Sequence, residues 1–64
     1  MTVTVHLITG EHIPCRNITE FHLHVDRFTL RGAKVGDYYE FDRRKMIGFD
    51  VAFMPYTNVG VKRG

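Results

Sequence analysis

Apolar and polar or small side chains take turns along most of this chain, and that alternation constrains its fold more than any other feature. Val3, Val5 and Leu7 are separated by Thr4 and His6, and Ile13 and Cys15 flank Pro14. Phe21, Leu23 and Val25 are separated by His22 and His24, while Ile47, Phe49, Val51 and Phe53 are separated by Gly48, Asp50 and Ala52. Tyr39 and Phe41 keep the same step around Glu40. A period of two puts alternate side chains on opposite faces of a strand. An amphipathic helix needs apolar residues three and four apart, and no long segment has them. The chain therefore reads as all-β, with five to six short antiparallel strands.

At 64 residues there is room for one small β domain, residues 1–64. A chain of this size buries only about 60% of the surface its unfolded form exposes. A single core in so small a chain seldom supplies more than about 3–5 kcal/mol, so small scaffolds commonly draw on disulfides, metal or a partner subunit. Cys15 is the sole cysteine, which excludes an intrachain disulfide. The net charge of +2, from nine basic and seven acidic residues, is too mild to diagnose a nucleic-acid partner. No basic leader or run of about 20 apolar residues is present, so the expected location is cytoplasmic, with no membrane partner. In that setting Asn17-Ile18-Thr19 is a chance match to a glycosylation sequon.

Three hairpins are expected. The first turns at Thr9-Gly10-Glu11, setting Leu7 opposite Ile13 and Val5 opposite Cys15; Pro14, without an N–H, makes its second arm an edge or bulged strand. The second turns at Asp26-Arg27, pairing Val25 with Phe28 and Leu23 with Leu30. That turn accounts for the switch of apolar residues from odd to even positions. Asp-Arg lacks the glycine of the favoured two-residue turns, which leaves a bulge within one bent strand as the alternative. After a loop over Gly32 to Asp37, the third hairpin pairs Tyr38–Phe41 with Met46–Phe53 across Asp42-Arg43-Arg44-Lys45. Met54-Pro55 breaks the pattern, and residues 56–64 read as a tail or an edge strand exchanged with a second copy.

Strands with one apolar face must close into a small barrel or pack against a second copy, because open faces and edges invite association. An SH3-like or Sm-like barrel or sandwich is the expected architecture. The succession of short strands, with the strong apolar strand Met46-Ile47-Gly48-Phe49-Asp50-Val51 near the end, resembles Sm-like proteins. That resemblance is architectural. The two loops by which that family holds RNA have no counterpart here, so it implies no site residues.

Four histidines stand out. By parity His6, His22 and His24 face away from the core, as does His12 if the first hairpin holds. His22 and His24, two apart on one strand face, have the spacing to share a metal, but no third ligand accompanies them. They read as solvent or interface residues, with Arg31 opposite His22, and no metal or cofactor is expected. Arg43, Arg44 and Lys45 form a basic hairpin tip whose guanidinium forks suit carboxylate or phosphate. Tyr38 adds an aromatic surface beside it. Cys15 has core parity, the chain contains no serine, and no pair of acids is spaced for general acid–base work, so no catalytic residues are expected.

The sequence is thus that of a small non-enzymatic binding module. It is expected to form a homo-oligomer and to act as a regulator or inhibitor of another macromolecule with an acidic surface, through Arg43, Arg44, Lys45, Tyr38, Arg31, His22 and His24. The alternative is a nucleic-acid-binding barrel that uses the basic tip and exposed aromatics.

Overall fold

The structure, a computed structural model, describes residues 1–53. The expected tail or exchanged strand, residues 56–64, lies outside the described residues. Six strands follow in order: β1 (Thr2–Leu7), β2 (His12–Cys15), β3 (Ile18–Leu23), β4 (Arg27–Gly32), β5 (Tyr38–Asp42) and β6 (Met46–Ala52). A single 3-10 turn, Arg43–Lys45, joins β5 to β6. The strands form two three-stranded antiparallel sheets, ordered β2-β1-β6 and β3-β4-β5. The all-β expectation holds. Among the described residues the sheets are not closed into a barrel: each ends in edge strands without a further partner, and Pro14 lies on one of them, β2. Among the described residues no helix is long and apolar enough to cross a membrane.

The first two hairpins form, each with its turn one residue earlier than expected. Val5 pairs with Ile13 and Val3 with Cys15, because a three-residue loop closes with the Gly10 amide on the Leu7 carbonyl at 2.9 Å. Gly10 follows that turn at φ 95°, a conformation that costs glycine little. Leu23 pairs with Phe28 and Phe21 with Leu30 around Val25-Asp26, where the His24 amide donates to the Arg27 carbonyl at 2.8 Å. Moving a turn by one residue slips the pairing by two, which returns every side chain to its own face. The error therefore displaced partners without inverting faces. Val25, now in the turn, is 97% exposed rather than in the core.

The third hairpin does not form. β5 pairs with β4, and β6 crosses to the other sheet to pair with β1, with Val5 opposite Phe49 and Val3 opposite Val51. Asp42 explains the divergence: its carboxylate caps the 3-10 turn by accepting from the Arg44 amide at 2.9 Å. The chain thus leaves β5 in a helical turn instead of folding back on it.

Between the sheets lies one core. Val3, Val5 and Cys15 from one side meet Ile18, Phe28 and Leu30 from the other, all buried. Phe49 bridges the layers, its ring stacked 4.5 Å from Phe28 and edge-on to Phe21 at 5.5 Å. Two bulges account for departures from simple alternation. Thr19 has no partner between the pairs Ile18–Gly32 and Glu20–Arg31, so even-numbered Ile18 and odd-numbered Phe21 both turn inward. Ile47 is the extra residue between the pairs His6–Gly48 and Leu7–Met46, and it turns outward, 71% exposed, against its expected place in the core. Leu23, Tyr39 and Phe53 are also exposed although their parity is that of the core; they lie at open edges or beyond the last paired residue.

Candidate functional site

Because β4 is central, the outer face of the β3-β4-β5 sheet becomes a three-by-three array of polar side chains. β3 contributes Glu20 and His22, with His24 one residue past its end; β4 contributes Arg31, Thr29 and Arg27; β5 contributes Tyr38, Glu40 and Asp42. The ladders align Glu20, Arg31 and Tyr38 in one row and His22, Thr29 and Glu40 in the next. The fully buried Phe28 and Leu30 alternate with these residues on β4 and face the core. Burial of one face thus dictates what the other presents.

Contacts within the array are local. Tyr38 donates its hydroxyl to Glu40 Oε1 at 3.0 Å, which raises the phenol's pKa. Glu20 lies between His22 and Arg31, with Oε1 3.9 Å from His22 Nε2 and Oε2 3.8 Å from Arg31 Nε. At these distances the contacts are loose and solvated, and an incoming carboxylate can compete for the Arg31 guanidinium. His24 Nε2 lies 3.2 Å from the Thr29 hydroxyl. An open depression of about 340 Å³ follows this face, bounded by Glu20, His22, Arg31 and Tyr38.

Four of the residues expected from sequence, His22, His24, Arg31 and Tyr38, therefore share one surface. His22 stands opposite Thr29, not Arg31, as a result of the register slip. The basic tip adjoins the His24 end of this surface and is largely engaged. The Arg43 guanidinium donates to the His24 carbonyl, and the Arg43 amide donates to the Asp26 carbonyl at 3.1 Å, so this residue fastens the β3–β4 turn. Arg44 spans Asp42 with two donors, Nε at 3.2 Å and Nη2 at 3.0 Å. Lys45 is exposed. Glu20, Arg27, Thr29, Glu40 and Asp42 were not among the expected site residues. Their common outward parity was visible in the sequence, but seeing them as one array required β5 to lie beside β4.

The side-chain and backbone hydrogen bonds from Arg44 pull the Asp42 carboxyl from 3.8 down to about 2. Its contribution to stability is present above the ordinary carboxylate range and is lost as pH falls through about 2. A carboxyl carbon-13 titration is expected to place the Asp42 midpoint near 2. In Arg44→Ala the midpoint should climb towards the ordinary value while the backbone amide contact remains. An unchanged midpoint in the variant would assign the shift to the backbone alone.

Cys15 is buried, and burial pushes its thiol pKa up, which leaves it an apolar packing group at neutral pH. Among the described residues no three His, Cys, Asp or Glu side chains converge as metal ligands. Comparison with protein-family models, with curated proteins and with solved structures finds no significant match to this chain.

Proposed function

We propose that the protein is a small non-enzymatic binding module of SH3-like or Sm-like type. In this reading it is a cytoplasmic homo-oligomeric regulator or inhibitor that engages an acidic surface of another protein. The observation that carries this is the outer array, where Arg31, His22 and Tyr38 stand exposed around an open depression and only a loose pair with Glu20 occupies the Arg31 guanidinium. A protein partner is favoured over nucleic acid because Arg43 and Arg44 are engaged internally and Glu20, Glu40 and Asp42 interrupt the basic character of the face. Self-association is supported by the edges of β3 and β6, which pair with no further strand among the described residues. Leu23, Met46, Ile47 and Phe49 line a cleft of about 200 Å³ there, with Leu23 and Ile47 more than half exposed.

Two measurements test the parts separately. Nitrogen-15 NMR titration with a synthetic Glu-rich peptide is expected to shift amides of Arg31, His22 and Tyr38, and Arg31→Ala should weaken binding about tenfold, or roughly 1.4 kcal/mol. Shifts produced by single-stranded DNA and not by the peptide would overturn the choice of partner. Sedimentation velocity should show an oligomer at micromolar concentration that Ile47→Glu converts to monomer; a wild-type monomer throughout would overturn the assembly.

A further inference from the structure

The other sheet also places titratable groups in line on its outer face. His6 and His12 are cross-strand partners on β1 and β2. The adjacent Leu7 amide bonds the Glu11 carbonyl at 2.9 Å, so the His6–His12 pair falls at the alternate position, where facing side chains stand closest. Their Nδ1 atoms are 2.7 Å apart, with the rings edge-on. The other ring nitrogen of His6, Nε2, lies 2.7 Å from Asp50 Oδ2 on β6. Asp50 accepts from the Nε2–H of His6, which leaves neutral His6 with a lone pair on Nδ1. A single proton then fills the space between the two Nδ1 atoms.

We infer that His6 and His12 form a chelating site for a divalent transition-metal ion that prefers imidazole, such as Cu²⁺, Ni²⁺ or Zn²⁺. The ion takes the place of the shared proton. With His12 in its Nε2–H tautomer, both Nδ1 lone pairs converge on one point and no net charge is lost from the rings. Metal–nitrogen bonds of about 2.0–2.1 Å need nitrogens roughly 2.9–3.4 Å apart. The 2.7 Å pair must therefore open only slightly, which exposed His12 can do by turning its ring. Asp50 already occupies the outer position that metal-bound imidazoles characteristically use, holding the His6 tautomer and orientation. Water completes the coordination, since no third protein ligand converges among the described residues. Cu²⁺ should bind most tightly of the three, and Mg²⁺, which demands oxygen ligands, should not bind there. The His22–His24 pair lacks this geometry: its rings are 6.2 Å apart and tilted, and each faces a different neighbour.

Calorimetric titration of the full chain with Cu²⁺, Ni²⁺, Zn²⁺ and Mg²⁺ tests the site, with Cu²⁺ broadening of nitrogen-15 spectra as the locator. One ion per chain is expected, with broadening centred on His6 and His12. At about 100 times Kd, bound metal should raise the melting midpoint by roughly 20 °C. Asp50→Asn should weaken binding about 10–100-fold. His12→Gln should abolish binding, whereas His22→Gln with His24→Gln should leave it intact. Wild-type binding in His12→Gln, unchanged affinity in Asp50→Asn, or no binding of Cu²⁺ at about millimolar concentration would overturn the assignment.

Discussion

Phe28→Ala is expected to abolish cooperative unfolding, leaving a chain with no thermal transition and a collapsed amide spectrum. Phe28 is fully buried on the central strand β4, stacked on Phe49 at 4.5 Å and edge-on to Phe21 at 5.8 Å. Truncating a buried phenylalanine costs about 3–5 kcal/mol, because the lost transfer energy is joined by a cavity that the surroundings cannot fill. That matches the most that a core this small commonly supplies, about 3–5 kcal/mol. Val35→Ala, at a fully exposed loop position, serves as the control and should melt with the wild type. A well-folded Phe28→Ala domain would show that the stability resides outside this inter-sheet core, most directly in subunit contacts.

Gly32→Ala carries the second large effect, by the opposite mechanism. A Cβ at Gly32 would stand 2.5 Å from the Asp37 Cβ and 2.9 Å from the Asn17 carbonyl oxygen. Neither neighbour can swing clear. Asp37 is held by the Gly32 amide, which donates to its carbonyl at 2.7 Å, and Asn17 sits in the left-handed region at φ 60° where the chain passes from β2 to β3. The substitution forces the β4–β5 loop away from that connection, at a cost of about 1–3 kcal/mol. Urea melts should show a lower midpoint for Gly32→Ala, partly restored by adding Asp37→Gly, which removes the Cβ contact but not the carbonyl one. Gly48→Ala, where an added Cβ meets nothing within 4 Å, should be much milder. Equal midpoints for the two alanine variants would overturn this account of Gly32.

Alternation revealed which face each strand turns to the core more readily than which strand lies beside it. Val3, Val5, Phe21, Phe28 and Leu30 all have the inward orientation that parity gave them, because burial of one face is a property of a strand's own sequence. Partner choice depends on how the chain turns between strands. The polar run Asp42-Arg43-Arg44-Lys45 has the composition of a hairpin tip, yet hydrogen bonding by Asp42 winds it into a helical turn that delivers β6 to β1. Ile18 went unmarked as a core residue because the Thr19 bulge separates its parity from that of Phe21. Ile47 was misplaced for the corresponding reason on β6. The candidate surface was legible to the same extent. His22 and His24 on one strand and Arg31 on the next were within reach of parity, whereas Glu40 and Asp42 joined them only through the β4–β5 ladder.

The β1–β6 ladder has a consequence for how the chain comes together. It joins Thr2 to Ala52 across 50 residues, whereas the other ladders among the described residues connect strands adjacent in sequence. Closing so long a loop costs entropy that the short hairpins avoid, so the local ladders gain their contacts at smaller expense. During synthesis from the N-terminus, β1 must wait with one edge uncovered until nearly all of the described chain has been made.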